Sequence, residues 1–501
     1  MRLTTLALLT AASMTVTSVS VWALAPDPHS EPEPSSVAVA TPSADPGTTT
    51  LGKPTTEAPE RGQGEFSSGT TLVMNGRLGH TVLPADRPGE TFVFLEIEAQ
   101  AEQLAATAAP VNLSIVVDRS RSMHGRRLDN AMAAARGMIQ RLRDGDTVSV
   151  VTYNTTTEVL VPPTFIDARS RNDVVFALRN VEARGHTCIS CGIEAGMNLL
   201  AERQGAVNRM LLLSDGDANA GVRDLEGFRR LATRARDMQT AISSIGVDVD
   251  YNERVMFALA QASNGRHYFV ENPSVLPRIF DDELQSLVHT VAANAEVEVD
   301  LAPGVQIVEV LDRAFRRDGN RLVVPFGTFS AGDRKTLLVR VRPPAGEAGR
   351  QPIADVRLRY ADLGSGNRGE CHGQLVALLT DQDEQADVLD PVVEARVARA
   401  ETAAAILRAN EQFAAGELDA ADRTLADNRG RIRRRQAEAS TRARDESQRS
   451  RIDADFGQQI QVLEQAEGGF SAAKRQPAPT ASRPGKSAVR QNASAVDPFF
   501  N

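Results

Sequence analysis

LSIVVDRSRSM, residues 113–123, decides the fold. Residues 113–117 are an apolar run interrupted only by the small Ser114, the pattern of a strand buried on both faces in a parallel sheet. Asp118, Ser120 and Ser122 then follow at alternate positions, so three oxygen side chains stand just past the strand's carboxyl end, where open α/β sheets bind their ligands. A second apolar run, residues 210–213, closes in the same way in SDGDAN and brings Asp215 to an equivalent place. Between the two lies Gly185-His186-Thr187, whose threonine offers a hydroxyl from a third loop. Hard divalent cations take oxygen ligands in near-octahedral array and keep several waters, so two carboxylates and three hydroxyls suffice for one.

These residues resemble the metal-ion-dependent adhesion site of von Willebrand factor type A domains, with its order Asp-x-Ser-x-Ser, then a threonine, then an aspartate. The resemblance covers roughly residues 109–290. It implies that Asp118, Ser120, Ser122, Thr187 and Asp215 hold Mg²⁺, with Mn²⁺ or Ca²⁺ as alternatives, and that a partner protein offers a carboxylate to the ion. Arg121 departs from the glycine that related sequences often carry, adding bulk and positive charge beside the site. The surrounding pattern agrees with an α/β doubly wound, Rossmann-like domain. Strands expected at 147–153, 241–247 and 267–270 alternate with helices at 127–143, 189–203, 224–239 and 253–262.

With 501 residues and 42% hydrophobic content, the chain is long enough for two or three domains. Arg2 followed by an uncharged stretch reads as a signal peptide over 1–25, cleaved or kept as an anchor, so the chain is expected to be exported to the periplasm, cell surface or medium. Residues 26–66 are a Pro/Ser/Thr-rich spacer. Alternating segments at 67–108 and 291–385 flank the metal-site domain. Because a two-strand piece is unlikely to stand alone, they are expected to form one β-sandwich into which residues 109–290 are inserted. This layout resembles bacterial envelope proteins distantly similar to inter-alpha-trypsin-inhibitor heavy chains. A helical hairpin is expected over 388–466, with a break at Gly416, and a disordered tail over 467–501.

Residues 429–451, opening on Arg429 and closing on Arg451, carry nine arginines against three acids. They read either as a solvated helix face or as a contact for an anionic envelope surface. In an exported protein the spacing Cys188-x-x-Cys191 permits a local disulfide beside Thr187, which leaves Cys371 free and open to modification, or else paired with one of them. A zinc site completed by His186 or His372 would require Cys371 to reach the same loop. The net charge of −9 and 4% aromatic content argue against nucleic acid as a partner. Among the seven histidines there is no HExxH, and neither GxxxxGK[ST] nor GxSxG occurs. The sequence supplies ligands but no nucleophile with its base, so it favours a metal-dependent adhesion or scaffold module and no enzyme. The alternatives are an accessory subunit of an envelope transport or channel assembly, and a redox or metal-dependent enzyme component.

Overall fold

The computed structural model describes residues 64–100, 109–201, 206–311, 313–382 and 388–500. The expected signal segment, and all but the last three residues of the spacer, lie outside the described residues. Four strands come first: β1 (Glu65–Gly69), β2 (Leu72–Leu78), β3 (Val82–Pro84) and β4 (Thr91–Ala99). The α/β domain follows, built from β5 (Val111–Asp118), α1 (Arg126–Arg141), β6 (Thr147–Tyr153), β7 (Thr157–Phe165), α2 (Ser170–Ala177) and α3 (Ile189–Ala201). It continues through β8 (Val207–Ser214), α4 (Leu225–Asp237), β9 (Thr240–Val247), α5 (Glu253–Ser263), β10 (His267–Val270) and α6 (Leu276–Val288).

Its sheet runs β10-β9-β8-β5-β6-β7. Every pair is parallel except β6 with β7. All eight residues of β5 are buried because helices cover both faces. Leu113, Ile115 and Val117 point to one cluster, with α1 and α6, while Val116 joins α3, α4 and α5 on the other side. Truncating such a side chain, Ile115→Ala for example, costs about 2–5 kcal/mol. The edge strand β7 carries Pro162 and Pro163 and is largely exposed, which is why its sequence does not read as a strand. After β5 the chain goes to β6 on one side and later to β8 on the other. The sheet's switch point therefore lies between β5 and β8.

The remaining strands are β11 (Thr290–Leu301), β12 (Gln306–Val310), β13 (Arg316–Asp318), β14 (Arg321–Ser330), β15 (Arg334–Arg342), β16 (Gly349–Asp362) and β17 (Arg368–Thr380). They and β1 to β4 form two sheets, β1-β2-β4-β15-β12 and β13-β14-β11-β16-β17-β3. Inward residues of both, such as Leu95 and Val339 from the first and Val297 and Leu358 from the second, fill one core. The α/β domain is inserted between β4 and β11. One turn joins its two connections to the sandwich: Ala331 N–H donates to His289 O at 2.9 Å, and Gly332 N–H to Ala99 O at 3.0 Å.

The carboxyl-terminal part corrects the sequence reading. Four helices replace the expected hairpin and tail: α7 (Pro391–Ala414), α8 (Leu418–Thr441), α9 (Glu446–Lys474) and α10 (Arg483–Phe500). Asp390 and Asp445 cap α7 and α9 by accepting their first free N–H groups. Gly416, at φ +87°, makes the turn between α7 and α8. Residues 467–501 are thus not a disordered tail. Ala488, Val489, Val496 and Phe499 of α10 are buried in the same cluster as Phe413 and Phe470, and Ala493 is buried as well. That burial overrides a Pro- and Ser-rich local composition. On the outer face of the first sheet, Phe94 and Leu338 pack against Val393 and Val397 of α7. No helix of the described residues is long and apolar enough to cross a membrane.

Candidate metal centre

The switch point brings the sequence's candidates together. Asp118 ends β5 and is fully buried; its Oδ1 accepts the Ser120 N–H at 2.7 Å and its Oδ2 the Ser214 hydroxyl at 2.9 Å. The Ser120 and Ser122 hydroxyls are 3.0 Å apart, and Ser122 Oγ donates to Asp215 Oδ1 at 2.6 Å. Alternate spacing in the turn after β5 makes this possible, because Ser120 and Ser122 fall on the same side while Met123 is buried beneath them.

Thr187 arrives from the loop before α3. A methyl group placed on Gly216 would sit 3.6 Å from Ser122 Oγ and 3.9 Å from Thr187 Oγ1, so both hydroxyls look onto the Asp215-Gly216 turn. The loop is held there: Asn219 Oδ1 accepts the Thr187 N–H at 2.8 Å, and Thr187 O accepts from Asn219 and Ala220 N–H. Directly after Thr187, Cys188 and Cys191 are joined by a disulfide with 5.3 Å between their Cα atoms. Cys371 lies elsewhere, in the sandwich core, donating to Leu72 O at 3.3 Å. Burial pushes its thiol up to about 11, so it is sealed in the folded protein and not open to modification as the sequence reading has it. Its place in the sandwich also removes it from the Cys188 loop and from any zinc set there.

Of the five donors only Ser122 is exposed, and Asp118, Ser120, Thr187 and Asp215 are buried. Burial pushes the Asp118 carboxyl up to about 7, against the Ser120 and Ser214 hydrogen bonds that favour its charge. Asp215 is raised as well, burial outweighing the help of Ser122 and Arg127. Buried carboxylates so placed are unfavourable alone and become favourable beside a cation. The donor set, two carboxylates and three hydroxyls around a small opening, fits a hard divalent ion. Among the described residues no cluster of three or more His, Cys, Asp or Glu side chains offers a rival site.

Three supporting residues escape the sequence reading. Ser214 precedes Asp215 and holds Asp118. Arg127, in the first turn of α1, donates through Nη1 to Asp215 Oδ2 and to Ser122 O, both at 2.8 Å, and through Nη2 to Asp248. Asp248 follows β9 and also pairs with Arg483 of α10 at 2.8 Å. Burial pushes Asp248 upward, but the Val249 N–H and Arg127 outweigh it and hold its carboxyl below the usual range. Position offers a signal for it: Asp248 stands at the carboxyl end of β9, as Asp118 and Asp215 do at theirs. Arg121, by contrast, points to solvent.

The sheet order and the loops at its switch point define the class. Residues 112–282 match the von Willebrand factor type A domain family, and the chain carries such a domain. The chain is 26% identical over 268 residues to the sll0103 protein of Synechocystis, spanning 51% of this chain and 63% of that one. It is 23% identical to inter-alpha-trypsin inhibitor heavy chain H3 of Mesocricetus auratus, over 46% of this chain and 25% of that one. The chain therefore spans less than two thirds of either relative. Among solved structures, the von Willebrand factor type A protein from Catenulispora acidiphila superposes with a TM-score of 0.64 at 18% identity, over 80% of this chain and 92% of that one. That likeness extends the shared fold well past residues 112–282.

Proposed function

We propose that this protein is an exported, metal-dependent protein-binding module, in which a divalent ion, Mg²⁺ first, bridges Asp118, Ser120, Ser122, Thr187 and Asp215 to a carboxylate on a partner. The observation that carries the reading is the convergence of these donors from three loops onto the switch point, with the Ser122 side alone open to solvent. Asp118 and Ser120 belong to one loop, Thr187 to the second and Asp215 to the third. Hydrogen bonds orient the oxygens of Asp118, Ser120, Ser122 and Asp215 before the ion binds, and Thr187 is held through its backbone. The ion supplies positive charge at an open position, and the protein's part is to fix where that position points. Among the described residues no histidine or other general base stands over the site beyond the proposed ligands themselves, which favours binding over turnover. Nothing but the ion's own charge is asked to recognise the partner's acid.

The test is capture of partners from an envelope extract on immobilised protein, with Mg²⁺ or with chelator, using wild type and Ser120→Ala. Capture should require the ion and fall at least about tenfold in the variant, because Mg²⁺ tolerates little distortion of its shell. Equal capture in chelator would place the partner on another surface.

A further inference from the structure

The arginine-rich stretch singled out in the sequence is mostly neutralised inside the helical bundle. Arg429 and Arg433 pair with Glu464, Arg435 with Glu401 and Arg442 with Glu394. The charge left over gathers elsewhere, in a cleft of about 510 Å³ between the first sheet of the sandwich and the bundle. Six arginines line it: Arg77 of β2, Arg334 of β15, Arg396 and Arg399 of α7, Arg444 of the α8–α9 turn and Arg451 of α9. Three carboxylates line it with them, Glu96, Asp445 and Asp455.

A structural ion-pair cluster gives each guanidinium its own carboxylate, because an uncompensated buried charge is expensive. This cleft does not. Arg396 and Arg399, whose side chains are only 15% and 14% exposed, share Asp455, at 3.4 and 2.9 Å. Asp455 also accepts the Gln459 amide at 3.0 Å, so its capacity is already divided. Arg77 and Arg444 share Glu65, at 3.9 and 2.8 Å. Asp390 stands 3.5 Å from Arg77, yet the enclosed Nη1 of Arg77 makes no hydrogen bond among the described residues. Asp445 is occupied in capping α9. Arg334 is satisfied by Glu96 and Glu98. Arg451 stands exposed at the rim and forms no ion pair among the described residues. Arg399 is held below the usual arginine range first by burial and then by its neighbour Arg396, against the pull of Asp455.

We propose that this cleft is a binding site for a phosphate-bearing anion, clamped between Arg396, Arg399 and Arg77 in the interior and Arg444 and Arg451 at the mouth. Guanidinium groups match a tetrahedral oxyanion with paired N–H donors, and a cavity of this size admits a phosphomonoester or a headgroup-sized phosphodiester. The apolar carbons of Val392, Ala395 and Ile452 on its wall suit the body of a small polyol or acylglycerol rather than a bare ion. With Glu65, Glu98 and Asp390 the carboxylates beside the six arginines equal them in number, so the cleft's positive character lies in uneven pairing, with Arg396 and Arg399 on one carboxylate and Arg451 on none among the described residues.

The experiment is a calorimetric titration of the full chain with glycerol 3-phosphate at low salt, together with sedimentation on phosphatidylcholine vesicles with and without phosphatidylglycerol. Arg396→Gln leaves Asp455 paired with Arg399, and Arg451→Gln alters an exposed side chain, so both variants keep their fold. Mg²⁺ affinity, which depends on the distant sheet edge, checks this independently. Glycerol 3-phosphate should bind saturably, and each substitution should weaken it at least about tenfold, while Arg433→Gln, outside the cleft, leaves it unchanged. Vesicle binding that needs phosphatidylglycerol, disappears in the same two variants and is displaced by glycerol 3-phosphate would identify the source as a lipid headgroup. Glycerol 3-phosphate binding without vesicle binding would identify a soluble phosphate. Absence of both, or binding equal to wild type in Arg396→Gln and Arg451→Gln, overturns the proposal.

Discussion

The candidate metal-site edge of the α/β domain and the helical bundle both bury polar groups, and they do so with opposite results. In the bundle the groups satisfy one another. Asn428 donates to Thr402 Oγ1 at 3.1 Å, Thr402 Oγ1 to Gln459 Oε1 at 3.2 Å, and Gln459 to Asp455 at 3.0 Å and Ala395 O at 3.1 Å. At the sheet edge, Asp118 and Asp215 accept hydrogen bonds yet stay above the ordinary carboxylate range. Completed polar networks specify packing; an acidic site left short of positive charge is poised for a ligand. Substitutions at the edge should therefore change Mg²⁺ binding and spare stability, and those in the buried Asn428-Thr402-Gln459 network of the bundle should do the reverse.

The largest effect expected is from Asp118→Ala, which should lower Mg²⁺ affinity by at least about 100-fold, since even groups that merely orient metal ligands are worth tenfold to 100-fold. Circular dichroism should show the fold intact, because the change relieves a buried carboxyl. Unchanged affinity by calorimetry would remove Asp118 from the site. Next, Arg127→Gln should weaken the ion by about tenfold or more, as Asp215 Oδ2 and Ser122 O lose the cation that orients them. An affinity equal to wild type would make Arg127 a surface ion pair like those of the bundle.

Acidity sharpens the contrast further. The Asp118 carboxyl rises from 3.8 in an unfolded chain to about 7 when folded and metal-free. Between these values the folded state holds the extra proton, so stability without metal should fall as pH rises from about 4 to 7. Mg²⁺ must displace that proton. Its affinity should be about tenfold lower at pH 6 than at pH 8, and the thermal shift it produces should grow across the same interval. A pH-independent shift would break the link. The smallest effect belongs to the bundle surface: Arg433 and Glu464, 58% and 48% exposed, form a pair worth less than about 1 kcal/mol. Arg433→Gln should move the melting temperature by only a few degrees and leave Mg²⁺ affinity where it was.

Much of this was legible in the sequence, and unevenly so. The five donors stand out because each lies at the end of a strand or in a loop with fixed spacing, and the strands leading to Asp118 and Asp215 are largely apolar over their last residues. The sandwich strands alternate, so they too could be read. β7 was hidden by its two prolines and exposed edge, and β3 and β13 by lengths of three residues. The tail misled for a different reason. Ala488, Val489, Ala493, Val496 and Phe499 recur at helical spacing, but the surrounding Pro, Ser, Gly and Asn mask the period, and it takes packing on α7, α9 and α5 to give such residues a surface to bury. Ser214 and Arg127 were invisible because their roles exist only once distant loops have met, whereas Asp248 left a signal in its place at the carboxyl end of β9.

The way the α/β domain is spliced into the sandwich sets how it would bear force. Its two connections meet at the turn 331–333, yet they lead into different sheets, β4 in one and β11 in the other. Each is an interior strand with a neighbour on both sides: β4 lies between β2 and β15, and β11 between β14 and β16. A tug on a partner held at the sheet edge is thus split at one corner and spread over four hydrogen-bonded ladders, so no single edge strand can be peeled away to release it.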